Sequence, residues 1–161
     1  MVIMNDMPIR KNNRLSNYDY SQNGAYFITI CTKDKKPLLW CVGANCVRPL
    51  LSGIGQLVEN EIFILSETYA GVGVDKFIIM PNHLHRIITI DCGGGRTQFA
   101  PTITRIIKQF KGIITKQIGL SIWQRSYHDH IIRNEEDYLR IWQYIDENPV
   151  KWADDKYFVA T

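Results

Sequence analysis

The chain has 161 residues, 45% hydrophobic and 22% charged, with a formal net charge of +3. This describes one globular domain that buries ~68–70% of the surface its unfolded chain exposes, and it excludes a fibre or a disordered chain. The longest uncharged run is the 13 residues from Tyr20 to Thr32, short of the ~20 apolar residues of a membrane span. Residues 1–14 carry no apolar signal-peptide core, so a cytoplasmic protein with no membrane partner is expected.

In chain order, residues 1–22 form a polar arm with Arg10, Lys11 and Arg14 as its basic cluster. A single domain follows over 23–149. Ala25 to Thr32 is rich in β-branched and aromatic residues and predicts a strand. A turn at Asp34–Pro37 leads to a short partner strand at Leu38–Val42. Ser52 caps a helix running to about Tyr69, with Ile54, Leu57, Val58, Ile62 and Leu65 at helical spacing. Val74–Met80 and His83–Ile90 are strands on either side of Pro81-Asn82, too close together for a crossover helix. Thr102–Ile118 is a helix closed by Gly119, Ser121–Arg133 a strand with a bend, and Asn134 caps a last helix whose first turn holds Glu135, Glu136 and Asp137. Residues 150–161 read as a tail packed on the domain by Trp152, Tyr157 and Phe158. The order predicts an α+β sandwich of ferredoxin-like (RRM-like) type, a mainly antiparallel sheet with helices packed on one face.

The four cysteines, Cys31, Cys41, Cys46 and Cys92, include no CxxC pair and read as reduced packing residues. Charge is uneven. Residues 86–133 hold eight basic and two acidic side chains, a net +6, whereas 134–161 hold three basic and seven acidic, a net −4. A basic segment of this kind suits a polyanion, although solvated helix faces also look like this.

The four histidines form two His-x-His pairs, His83/His85 and His128/His130, both in predicted strands. A period of two puts both imidazoles of a pair on one face, where they suit a divalent metal or serve as satisfied polar residues. On helix 102–118, Ile103, Ile106, Ile107, Phe110, Ile114 and Ile118 make an apolar stripe, with Arg105, Lys108 and Lys116 opposite. Gln117 falls inside that stripe, one turn after Ile113. A buried amide without partners costs ~1–3 kcal/mol, so Gln117 is either hydrogen-bonded at the rim of the core or a ligand.

Arg10–Thr32, Asp75–Ile90 (DKFIIMPNHLHRIITI) and Ile107–Pro149 (through FKGIITKQ, IWQRSYHDHIIRN and YIDENP) resemble the REP-associated tyrosine transposases. These are single-tyrosine HUH transposases, U being a bulky hydrophobic residue. The resemblance covers residues ~10–158. It implies a single-strand DNA nuclease and strand-transfer enzyme with the HUH motif on a central strand, acting on hairpin or palindromic DNA as a monomer or homodimer. His83 and His85 would hold one Mg²⁺ or Mn²⁺, which polarises the scissile phosphate. In the family a helix tyrosine attacks phosphorus, giving a 5′-phosphotyrosine and a free 3′-hydroxyl. A polar residue four positions later on that helix completes the metal site.

Gln117 matches that polar residue, which places Ile113 where the tyrosine is expected. Three readings follow. Tyr127 serves as substitute nucleophile, unless it is a core aromatic; metal-bound water attacks; or the chain binds DNA hairpins without cutting them. Asn82 is expected to orient a ligand, and His128, Asp129 and His130 to support the site or touch DNA. Phosphate contacts are expected from Arg10, Lys11, Arg14, Arg105, Lys108, Lys111, Lys116, Arg125 and Arg133, with bases stacking on tyrosine or tryptophan. No aromatic RNP-type signature supports an RNA-binding module.

Overall fold

The computed structural model describes residues 18–41, 50–91, 93 and 101–159. Its elements are β1 (Gly24–Cys31), α1 (Gly53–Thr68), β2 (Val72–Ile79), β3 (His83–Ile90), α2 (Ile103–Ile118), β4 (His128–Ile132) and α3 (Glu135–Glu147), with short 3₁₀ turns at Lys33–Lys35 and Trp152–Asp154. The helix starts follow their capping residues. Ser52 Oγ accepts from Gly55 N, Thr102 Oγ1 from Arg105 N, and Asn134 Oδ1 from Asp137 N. Gly119 ends α2 in the left-handed conformation.

The sheet runs β2-β3-β1-β4 with every pairing antiparallel, the ferredoxin-like arrangement expected. β3 is central and buried on both faces, so its alternation assigns residues to two cores. Leu84, Ile88 and Ile90 join Tyr26, Ile28 and Ile30 of β1 under Val58, Ile62 and Leu65 of α1 and Ile106, Ile107, Phe110 and Ile114 of α2. On this side the fully buried Arg86 guanidinium stacks 4.2 Å from the Phe110 ring centroid, and burial pushes its pKa down to about 9. The opposite face carries a smaller core of Ile87, Ile141 and Ile145. The sequence pattern predicts all helices on one face; α3 instead lies across the other.

α3 is fastened to the β2 edge. Lys76 pairs with Asp146 and lies 4.8 Å from the Trp142 ring, and Tyr138 OH donates to Asp75 Oδ2 at 3.0 Å. The β1–β4 side of the same face is therefore left open.

Two expected strands are shorter than their sequence patterns. Over 38–42 the described residues make only a bridge between Trp40 and Leu51, and 121–133 is regular only in β4, with one bridge from Trp123 to Thr32. Lys111 accounts for the second case. Its ammonium takes the carbonyls of Gln124 (2.9 Å) and Ser126 (2.8 Å), diverting them from a ladder.

Two helix glycines make opposite predictions. A Cβ at Gly55 would run into the Leu39 carbonyl, whereas one at Gly112 meets nothing within 4 Å. Gly112→Ala should stabilise the fold by about 0.5–1 kcal/mol and Gly55→Ala should destabilise it by about 1–3 kcal/mol, as read from urea midpoints.

Candidate functional site

His83 and His85 are buried on the α3 side of β3, with their Nε2 atoms 3.0 Å apart. The partners of their Nδ1 atoms set the tautomers. Asn82 Nδ2 donates to the Tyr157 and Lys35 carbonyls (2.7 and 3.1 Å), which turns its amide oxygen toward His83. His83 Nδ1–H therefore donates to Asn82 Oδ1 at 2.9 Å, and its Nε2 carries a lone pair. His85 Nδ1 lies 2.8 Å from Thr29 Oγ1, a hydroxyl able to donate or accept. With the His85 proton on Nδ1, both Nε2 lone pairs converge on one point, as a divalent cation requires.

Both rings are neutral. Burial, helped by the charges of Lys156 and Lys35, pushes His83 down to about 3. Burial, His83 and Lys156 hold His85 well below its usual value.

Beside the pair, an Asp155 carboxylate oxygen lies within 4.8 Å of both imidazoles, so three side chains present donors suited to a hard or borderline cation. Tyr144, 40% exposed on α3, puts its hydroxyl 3.4 Å from His85 Nε2. Burial and the Asp155 charge raise its pKa, while the Asn148 amide pulls the other way. Asn148 follows one helical turn later, caps α3 and is buried, and its Oδ1 has no hydrogen-bond partner among the described residues. An orphaned carbonyl oxygen in the cavity that His85 lines fits a cation. His85, Tyr144, Asn148 and Asp155 line this cavity of about 620 Å³, floored by Phe27 and Thr29, with Arg140, Lys151 and Lys156 at its rim and His83 buried behind His85.

Several sequence-predicted residues lie elsewhere. Gln117 is not at the histidines. It lies on the α1–α2 side of the sheet and donates to Glu61 Oε1 at 2.8 Å, which satisfies the amide that looked misplaced. Ile113 lines a crevice between α1 and α2. Tyr127 belongs to the main core, with its hydroxyl 3.2 Å from Thr104 Oγ1. Asp129 pairs in register with Ile28 and so faces away from the cavity, and His128 is exposed. His130 lines the cavity and bonds Asp137 at 2.7 Å.

Among the basic residues, Arg105, Lys108 and Lys116 are exposed on α2, across the sheet from the histidines, and the Lys111 ammonium is committed to its two carbonyls. Arg125 is exposed and Arg133 lines a second cavity beyond His130. Arg10, Lys11 and Arg14 lie outside the described residues.

Tyr144, Asn148, Thr29 and Asp155 were not singled out from sequence. The signal for the first two was present as a Tyr-x-x-x-Asn spacing inside YIDENP. Among the described residues, no helix is long and apolar enough to cross a membrane.

No family model matches the chain. A Haemophilus influenzae protein described as uncharacterised is 35% identical over a 170-residue alignment covering 93% of each chain. The REP-associated tyrosine transposase of Escherichia coli K12 is 37% identical over 133 residues, 82% of this chain and 70% of that one. A solved structure of a REP-associated tyrosine transposase bound to a REP hairpin matches the fold with a TM-score of 0.61, at 23% identity, over 88% of this chain and 77% of that one. A ferredoxin-like sheet with a His-x-His pair on its central strand, in a chain with these relatives, defines a transposase-like HUH protein. More narrowly, the chain belongs to the REP-associated tyrosine transposase family.

The buried histidines make stability depend on pH. Below about 6.5 the unfolded chain protonates them and the folded one does not, so the unfolded state binds more protons and stability falls as pH falls toward about 3. Between pH 6.5 and 5 the slope should approach about 1.4 kcal/mol per pH unit for each histidine. Urea midpoints should show this slope in the wild type and a flatter one in His83→Gln; parallel slopes would contradict the assignment.

Proposed function

We propose that the protein cleaves and rejoins single-stranded DNA at hairpins, with Tyr144 as nucleophile and a Mg²⁺ or Mn²⁺ ion held by His83, His85 and Asn148, with Asp155 beside them. The observation that carries this reading is the Tyr144 hydroxyl 3.4 Å from His85 Nε2, in an open cavity, with the unpaired Asn148 oxygen one turn further along the same helix. Tyr144 and Asn148 have the tyrosine-plus-four spacing that the family resemblance implies, so on this reading Ile113 is not the nucleophile position and no substitute is needed.

The bound cation would draw charge from the scissile phosphate. Tyr144 Oη attacks phosphorus, and its proton leaves to the water of the open cavity. The covalent link keeps the phosphodiester energy for rejoining. Asn82 and Thr29 hold the imidazoles in the ligating tautomer. Arg140, Lys151 and Lys156 ring the cavity with positive charge for the phosphates on either side. Hairpin DNA as substrate is supported by the related protein solved with a REP hairpin.

The test is a denaturing protein gel after incubation with Mn²⁺ and labelled single-stranded DNA carrying a REP-type hairpin. Wild type and Tyr127→Phe should acquire the label, and Tyr144→Phe and His83→Ala should not. Asn148→Ala should need more Mn²⁺ for the same yield. Cleavage without any adduct would instead make water the nucleophile, and a label surviving in Tyr144→Phe would sink the assignment.

A further inference from the structure

We propose that His130 is the general acid that protonates the departing 3′-oxygen during cleavage, and the base that takes that proton back on rejoining; this rests on Tyr144 as nucleophile. The need for such a group comes from leaving-group chemistry. Attack by a phenol, of pKa near 10, expels an alcohol whose pKa is closer to the ~15.7 of water. Without a proton for the alkoxide, the reaction runs back, because the phenolate is the better leaving group.

The geometry supplies a candidate whose ordinary pKa lies near neutrality. His130 pairs in register with Phe27. The Phe27 ring stacks 5.2 Å from His85 and meets Tyr144 edge-on at 6.0 Å. In the same row Phe27 pairs with Ile87, so His130 stands across Phe27 from the His85–Tyr144 pair, two strands over and two residues along from His85, about 12 Å of backbone away, and lines the same cavity. A nucleophile and leaving group in line lie on opposite sides of phosphorus, so a group facing Tyr144 across the cavity is on the leaving side. Among the described cavity-lining residues, His130 is the imidazole not assigned to the cation.

His130 is also oriented for the task. Asp137 Oδ2 lies 2.7 Å from its Nε2, and Asp137 Oδ1 accepts from Arg140 at 2.5 Å. The bond from His130, and then that from Arg140, keep the Asp137 carboxyl below its ordinary range although partial burial opposes them. An ionised carboxylate only accepts, so Nε2 carries a hydrogen and Nδ1 is left to exchange a proton. A carboxylate that fixes the ring and stabilises the imidazolium is the arrangement general acid–base histidines use.

The step balances. The Tyr144 Oη–P bond forms, the P–O3′ bond breaks with its electron pair on O3′, and O3′ takes the proton from His130 Nδ1. On rejoining, the 3′-hydroxyl returns that proton as O3′ re-forms its bond to phosphorus and the phenolate leaves.

A sulfur leaving atom separates this role from a structural one. A 3′-thiolate, near the ~8.5 of an ordinary thiol, departs without a proton. Wild type, His130→Asn, Asp137→Asn and Tyr144→Phe would be compared, with Mn²⁺, on a REP-type hairpin oligonucleotide carrying either oxygen or sulfur at the 3′ side of the cleaved link. His130→Asn should slow cleavage of the oxygen link ~10²–10³-fold yet stay within about threefold of wild type on the sulfur link. Asp137→Asn should show the same pattern more weakly. An equal loss on both links in both variants, or no loss on the oxygen link, would overturn the proposal. Cleavage surviving in Tyr144→Phe would instead overturn the nucleophile assignment beneath it.

Discussion

β3 is packed on both of its faces, and the rest of the site follows from that constraint. Leu84, Ile88 and Ile90 must meet α1 and α2, so His83, His85 and Ile87 must point the other way. A slip of one residue would drive two imidazoles into an aliphatic core and expose that core's own residues. The pairing with β1 brings Thr29 opposite His85 and Cys31 opposite His83, so the hydroxyl that orients one imidazole arrives with the register. Burial then keeps both rings neutral, the form in which imidazole ligates.

α3 turns this buried pair into a site with an opening. Its ties to Asp75 and Lys76 hold it over the β2 side, and the uncovered β1–β4 side becomes the cavity. The helix runs with its acidic first turn at His130 and its C-terminal end, at Asn148, on the cavity that His85 lines. The negative end of its dipole thus lies where a cation would sit, while Glu135, Glu136 and Asp137 suit the positive end. Beyond α3, the chain returns through Trp152 and Tyr157, whose rings pack 5.8 and 4.5 Å from His83. The Tyr157 carbonyl holds the Asn82 amide that holds His83, so the tail and the histidines are one hydrogen-bonded unit.

Charge read along the chain mapped poorly onto surfaces. The exposed Arg105, Lys108 and Lys116 contribute much of the basic middle segment, yet α2 packs across the sheet from the cavity. The cations at the cavity rim, Arg140, Lys151 and Lys156, all come from the segment with net charge −4. A stretch of sequence has no face until the packing of its helix is decided, so net charge by segment reports composition and not field.

By itself the sequence determined most elements, their caps, the antiparallel ferredoxin-like order, the pairing of His83 with His85 on one face, and the family. Each rests on local rules: side-chain period, helix-end chemistry, or a motif contiguous in the chain. Only the tertiary structure decided which helix meets the histidines. Periodicity gives a helix an inner face without saying which side of a sheet receives it, and the polar Gln117 inside an apolar stripe drew attention to α2. Its partner is Glu61, another helix residue 56 positions away, invisible to any local pattern. Tyr144 and Asn148 were legible as a spacing within the last helix. Their place beside His85 depends on α3 crossing to the far face of β3, a choice made by Ile141 and Ile145 finding Ile87.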